Sequence, residues 1–254
     1  MFKKREALFA AELAKRSYSD LPTLNLSDLK LSVEGIIREK STSTEGFIAS
    51  DEKHLYIVIR GTDDLEDWFT NLSIKLVDWQ IGDDRVKVEE GFYGSYASIF
   101  TDVYSVANAF VSKQLVVIGH SLGSSVVSMI ARAMSYRNPI VWSFEGPRCG
   151  DSAWANSFNE SIKTVYRITN KSDIVPTVPI VGYKHYKGGI WLDGCGGYSE
   201  YNSDLKTTIG GWLHDIWRWI SDRWRKLQWK DFSKVIDDHG MDSVIRSIEK
   251  LTIA

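Results

Sequence analysis

Gly119, Ser121 and Gly123 stand in the run "VVIGHSLGSS" as a G-x-S-x-G array between a β-branched stretch and a helix-forming one. A serine at such a strand-to-helix turn has a strained backbone and a hydroxyl lifted above a sheet, the posture of a nucleophile. Glycine on both sides removes the side chains that would obstruct so tight a turn. A serine nucleophile needs a base, and the base needs a group to orient it. Five histidines are available: His54, His120, His185, His214 and His239. The order serine, acid, histidine expected on a parallel sheet sets aside His54 and His120, and His120, inside the turn, is read as a packing or hydrogen-bonding residue. Asp173, just past the strand-like "TVYRIT" and at the carboxyl edge of the sheet, is taken as the acid. Asp151 reads more simply as the N-cap of the next helix. His185 follows Asp173 by only twelve residues on a strand-like run. His214 falls on the polar face of a Trp-rich helix. His239 lies after every strand, at a loop-to-helix junction, and is taken as the base. Acyl transfer also needs donors for an oxyanion. The N–H of Leu122, directly after the serine, is one; Thr62, following the strand "IVIRG", supplies the other.

These residues require elements to hold them. "VEGIIRE" and "EGFIASD" read as a hairpin, and "HLYIVIRG" at 54–61 as a stronger strand. Residues 91–113 carry helical periodicity through Tyr96, Ile99, Val103, Val106 and Phe110. "QLVVIG" at 114–119 is apolar on both faces, as a central parallel strand must be. "PIVWSFEGP" and "TVYRIT" repeat that pattern, with a short helix in "ANSFNESI" between them. The N-terminal residues read as an amphipathic helix with Leu8, Ala11 and Leu13 inward, and a last helix begins near His239. Strands alternating with helices predict an α/β fold, a mostly parallel sheet covered on both faces. All 254 residues are expected to form a single domain.

With these residues assembled, the sequence resembles the class 3 (fungal-type) lipases of the α/β-hydrolase superfamily. "RGTDDLEDWFTNL", "GFYGSY", "VVIGHSLGSS", "SFEGPRCGDSAWA", "YRITNKSDIVPTVP" and "YKHYKGGIWL" are similar to that family's motifs in order, with "DDH" near 239 completing the set. The resemblance implies the α/β-hydrolase fold, with Ser121, Asp173 and His239 as triad and Thr62 and Leu122 as oxyanion hole. It implies hydrolysis of carboxylic esters, acylglycerols included, without cofactor or metal. Phospholipase A1 or thioesterase chemistry would use the same residues, and a non-catalytic lipid-binding module on this scaffold is the competing class. Ser124 and Ser125 stand where smaller residues are commoner in the family, and Cys149 where an aliphatic one is.

Two segments are candidates for control of access. Leu65, Trp68, Phe69 and Leu72 form an apolar stripe after the oxyanion loop, fitting either a mobile lid or a helix packed on the body. Residues 193–238 match no family motif and are expected to be a cap or pocket-wall insertion with a Trp-rich helix. "WLHDIWRWISDRWRKLQW" holds five of the chain's ten tryptophans, Trp212, Trp217, Trp219, Trp224 and Trp229. Residues 212–230 carry five basic and two acidic side chains, a local surplus of +3. A basic polar face opposite an aromatic one suits transient contact with a lipid interface through Trp212, Trp217, Trp219 and Trp224, although packing as a pocket wall is preferred.

The chain as a whole has 31 basic and 33 acidic residues and a net charge of −2. That balance exerts no global pull on nucleic acid, so the expected partner is a lipid or ester substrate. Cys149 and Cys195 form no framework and read as free thiols of a reducing compartment. Arg5, Glu6 and Glu12 interrupt any signal-peptide core, and no apolar run is long enough for a bilayer. The expected location is cytoplasmic.

Overall fold

Alternation of side chains along a few short apolar strands decides the layering. The computed structural model describes residues 2–62, 75–201 and 237–252. Strand β1 (Ser32–Glu39) pairs antiparallel with β2 (Thr44–Ser50), the expected hairpin, and β2 pairs antiparallel with β3 (His54–Ile59). From β3 the sheet turns parallel through β6 (Gln114–His120), β7 (Ile140–Phe144), β8 (Thr164–Asn170) and β9 (Gly189–Leu192), and β10 (Tyr198–Tyr201) closes it antiparallel. The eight-stranded order is β1-β2-β3-β6-β7-β8-β9-β10.

Successive residues of the central strands point to opposite faces. Leu55, Ile57 and Ile59 of β3, Leu115 and Val117 of β6 and Val141 of β7 join one core cluster. Tyr56 and Val58, Val116 and Ile118, and Trp142 and Phe144 join the other. The first face is covered by α2 (Glu90–Ala109), α3 (Leu122–Ala133) and α4 (Ser152–Ser161), through Phe92, Ile99, Val127, Ile130, Trp154 and Phe158. The second is covered by α1 (Lys4–Arg16) and α5 (Met241–Glu249), through Ala7, Ala11, Leu13, Val244 and Ile248. Asp151 caps α4, its carboxylate accepting the Trp154 N–H at 2.8 Å. The α/β-hydrolase architecture expected from sequence is therefore the one observed.

Two pieces differ from expectation. A separate hairpin, β4 (Leu76–Ile81) with β5 (Asp84–Glu89), turns through Gly82 at φ 58° in a stretch where no strand is expected. Its buried apolar residues are Trp79, Val86 and Val88, packed against the helix layer, and Trp79 stacks on Trp154 at 5.6 Å. Residues 198–201, read within a Gly-rich loop, add a strand to the sheet edge. His185 lies before β9 rather than on it, beside the single bridge Lys184–Gly150.

In register, Ile59 faces Gly119, His120 faces Phe144, Phe144 faces Ile168, and Asn170 faces Leu192. The carboxyl ends of β3, β6, β7 and β8 thus finish on one edge, where the loops that follow them gather. Trp154, on α4, is fully buried against the β4–β5 hairpin. Trp154→Ala should cost roughly 3–5 kcal/mol of unfolding free energy, measured by urea denaturation, whereas loss of a surface side chain would leave the midpoint nearly unmoved.

Candidate active site

Each candidate residue lies where a strand ends on that edge. Ser121 connects β6 to α3 at φ 53° and ψ −131°, a left-handed backbone that costs a residue with a Cβ about 1–2 kcal/mol. The turn is tight: a Cβ on Gly119 would stand 2.5 Å from the Gly123 carbonyl oxygen. Ser124, where a smaller residue is commoner, is accommodated by placing its hydroxyl 2.8 Å from the Gly119 carbonyl and 3.0 Å from the Phe144 carbonyl, which share its one proton. Leu122 opens α3, so its N–H belongs to the first turn, which a helix leaves without internal partners. Gly61 follows β3, and a Cβ there would stand 2.5 Å from the Ser121 Cβ. That proximity places the Gly61–Thr62 loop beside the serine, as an oxyanion loop must be.

Asp173 and His239 meet directly. The His239 Nδ1–Asp173 Oδ2 distance is 2.6 Å, and both side chains are buried. Asp173 follows β8 in a turn, with its Oδ1 accepting the Val175 N–H at 2.9 Å. Burial works to raise the Asp173 pKa, but hydrogen bonds from Glu145 and His239 and the His239 charge outweigh it and hold the group below its ordinary value. With Nδ1–H donated to Asp173, the His239 Nε2 is the basic nitrogen. Among the described residues, neither the buried Ser121 Oγ nor the His239 Nε2 has a hydrogen-bond partner.

The other histidines take different places. His54 lies at the amino end of β3 beside Asp51, far in register from the serine. His185 is buried, its Nε2 2.5 Å from the Pro176 carbonyl, and supports the turn after Asp173. His214 and the tryptophans Trp212, Trp217, Trp219 and Trp224 lie outside the described residues, as does the stripe Leu65–Leu72. Of the expected insertion 193–238, residues 193–201 form a turn and β10, and 237–238 lead into His239.

His120 does more than pack. Its Nε2 lies 2.8 Å from the His239 carbonyl and its Nδ1 2.6 Å from the Tyr18 hydroxyl, which also accepts the Gly61 N–H at 2.8 Å. A carbonyl only accepts, so Nε2 carries the His120 proton and Nδ1 accepts from Tyr18. The chain of donors runs one way, from the Gly61 N–H through Tyr18 and His120 to the His239 backbone. It ties the loop after β3 to the His239 backbone. Tyr18 carries no motif and is invisible in the sequence.

Glu145 is the second residue that sequence reasoning misses. It follows β7 at φ 52°, fully buried, and its Oε1 accepts the Asn170 N–H at 2.6 Å. Its carboxyl, that of Asp173 and the His239 ring offer donor atoms all within 4.8 Å of one another. By distance these three could hold a cation. However, His239 Nδ1 is engaged by Asp173, Asp173 Oδ1 by Val175 and Glu145 Oε1 by Asn170, a pattern that suits a hydrogen-bonded array.

A strained serine at a strand–helix turn and a buried Asp–His pair on one edge of this sheet are the features of the α/β-hydrolase class. Residues 56–183, about half of the chain, match the family model for lipase (class 3). The chain belongs to the class 3 lipase family. It is 27% identical over 191 residues to secreted mono- and diacylglycerol lipase 1 of Fusarium solani, covering 70% of this chain and 56% of that protein. To a Rhizomucor miehei lipase it is 28% identical over 154 residues, covering 56% and 42%. The chain thus spans little more than half the length of the secreted relatives it matches. Among solved structures, a lipase from Rhizopus microsporus var. chinensis superposes with a TM-score of 0.68 at 23% identity, covering 79% of this chain and 76% of that one.

These relatives correct one expectation. The cytoplasmic location is overturned, because the proteins from Fusarium solani, Penicillium cyclopium and Penicillium camembertii are named secreted lipases. The N-terminal segment is folded as α1 against α5 and says nothing of an export route. Cys149 and Cys195 are free thiols, one buried and one exposed, which is no guide to compartment. No helix among the described residues is long and apolar enough to cross a membrane.

Burial, reinforced by the His239 charge, pushes the His120 pKa from 6.5 down to about 3. Between those values the unfolded chain binds a proton that folded His120 does not, so this group's contribution to stability falls as pH drops below 6.5, by about 1.4 kcal/mol per unit. His120→Asn should flatten the pH dependence of unfolding free energy by about one proton between pH 6 and pH 4, read from urea titrations at each pH.

Proposed function

We propose that the protein is a serine carboxylic ester hydrolase acting on acylglycerols outside the cell. The observation that carries this reading is the His239–Asp173 pair at 2.6 Å on the same sheet edge as Ser121, whose backbone is strained at φ 53°. His239, held in its Nδ1–H tautomer by Asp173, takes the Ser121 proton as the hydroxyl oxygen attacks the ester carbonyl. The N–H groups of Thr62 and Leu122 receive the oxyanion. His239 then gives its proton to the departing alcohol. A water attacks the acyl-enzyme by the same route and frees the acid and Ser121. No redox change occurs, and the residues named supply every proton movement.

The names of the relatives favour mono- and diacylglycerols as the substrate class. We assign the 193–238 segment, within a single domain, to walling the acyl site. Its +3 surplus between 212 and 230 suits contact with an anionic lipid surface through Trp212, Trp217, Trp219 and Trp224.

Ser121→Ala should lower kcat on a p-nitrophenyl ester by at least about 10⁴-fold and abolish fluorophosphonate labelling. Asp173→Asn should lose on the order of 10⁴-fold by presenting the wrong His239 tautomer. Wild-type turnover in either variant rejects the triad. The Trp217→Ser, Trp224→Ser double variant should co-sediment less with phosphatidylserine-containing vesicles, while hydrolysing a soluble ester normally. Equal sedimentation would reject the interfacial role.

A further inference from the structure

Glu145 occupies a place where an acidic side chain costs stability twice. Its φ of 52° is one that glycine adopts freely and that a residue with a Cβ adopts at a cost of about 1–2 kcal/mol. Its carboxyl is also withdrawn from water, with no exposed surface. A charged carboxylate in such a place requires a cation. Yet its neighbour across the cluster is the Asp173 carboxylate, and the Asp238 charge works in the same direction. Lys171 lies near but is committed to Asp238 at 3.0 Å and to the Ser243 hydroxyl at 3.0 Å. The remaining titratable faces are His239, bonded to Asp173, and His120, tilted against His239 with ring centroids 4.7 Å apart. No cation among the described residues bonds to Glu145.

The two oxygens of Glu145 are unequal. Oε1 accepts the Asn170 N–H at 2.6 Å, whereas Oε2 is buried and no donor among the described residues is directed at it. The Glu145 and Asp173 carboxyls belong to one cluster whose ligand atoms lie within 4.8 Å of one another, and a hydrogen bond between two carboxyls needs a shared proton, because neither oxygen of an ionised pair can donate. We propose that Glu145 is a neutral carboxylic acid whose Oε2–H donates to the Asp173 carboxylate, making it the positioning residue for the Asp–His pair. Burial and the Asp173 charge push its pKa well above the ordinary value, as the geometry requires. Asp173 then receives three donors, from Val175, His239 and Glu145, which fix its carboxylate plane against the imidazole. The inference rests on the triad reading, since Glu145 acts only through Asp173.

The arrangement separates a positioning acid from a mere core residue. Glutamine can reproduce it, accepting from Asn170 through its oxygen and donating to Asp173 through its amide. Glu145→Ala should lower kcat on a soluble ester roughly ten- to hundredfold with KM little changed, the rate equivalent of one hydrogen bond to a charged group. Glu145→Gln should recover most of that loss and keep the acid limb of the kcat/KM–pH profile where the wild type has it. An infrared spectrum of the wild type at pH 7 should show a protonated-carboxyl C=O band that vanishes in Glu145→Gln. A fall in the acid-limb pKa by half a unit or more in Glu145→Gln would mean that a negative charge had been removed, and would overturn the proposal. So would absence of the infrared band, or a Glu145→Ala variant with wild-type kcat. If the alanine variant does not fold, the glutamine profile and the infrared band still decide. Activity persisting in His239→Ala would instead refute the triad, an outcome that no Glu145 variant produces.

Discussion

Everything at the site depends on how closely three backbones approach at the carboxyl edge of the sheet. The end of β3, the turn after β6 and the first turn of α3 meet without room for side chains. A Cβ on Gly123 would overlap the Ile59 carbonyl and stand 2.6 Å from that of Arg60. One on Gly61 would meet Ser121 and the Tyr18 hydroxyl. Parallel pairing of β3 with β6, with Ile59 opposite Gly119, sets this contact, and the apolar side chains of both strands hold the register. A slip of one residue would turn Leu55, Ile57 and Ile59 to the wrong core and separate Gly61 from the serine. Catalytic geometry and core packing are therefore one constraint.

On that frame the buried polar groups are ordered by direction rather than by charge alone. The Gly61 N–H, Tyr18, His120 and the His239 carbonyl form one donor-to-acceptor series. The Val175 N–H and the His239 imidazole converge on Asp173 in another. Buried polar atoms in native proteins are nearly always paired, so an unpaired one calls for a reason. Among the described residues the Ser121 hydroxyl and the His239 Nε2 have no partner, and in the proposed mechanism they are the two atoms an arriving ester engages. Such apo hydrogen bonds commonly form only in the Michaelis complex. The cost of leaving them open is the cost of readiness.

Sequence made the frame legible because its signals are local. Unbroken apolar runs mark the parallel strands, and the glycine-flanked Ser121 and the post-strand Asp173 stand at their ends. His239 stands out because chain order sets aside His54 and His120, and His185 and His214 lie on a strand-like run and on the Trp-rich helix rather than at a loop-to-helix junction after every strand. The β4–β5 hairpin is hard to read because its buried apolar residues are just Trp79, Val86 and Val88, too few for a clear alternation. Tyr18 could not be found, since its role comes from a contact 102 residues away with His120. Glu145 left one faint signal, a carboxylate in an apolar strand end next to Gly146, where a turn residue or an apolar one would be ordinary. Location was misread because it rested on what the sequence lacked, and absence carries no physical constraint on the folded domain.

The described residues on either side of the five-tryptophan stretch are each tied to the sheet. Tyr201, before it, pairs with Gly189 opposite Arg167, three residues below the Asn170 end of β8, or about 10 Å along the strand. Asp238, after it, is clamped at the site, its carbonyl accepting from the Asn170 amide at 2.9 Å and its carboxylate from Lys171 at 3.0 Å. Thirty-six residues, 202–237, separate these two anchors in sequence. Asn170 and Lys171 hold Asp238 by backbone and side chain alike, so the residue before His239 is fixed to the end of β8. The strand end that leads into Asp173 therefore also sets the backbone entering His239, and any displacement of that clamp is felt first by the His239–Asp173 pair.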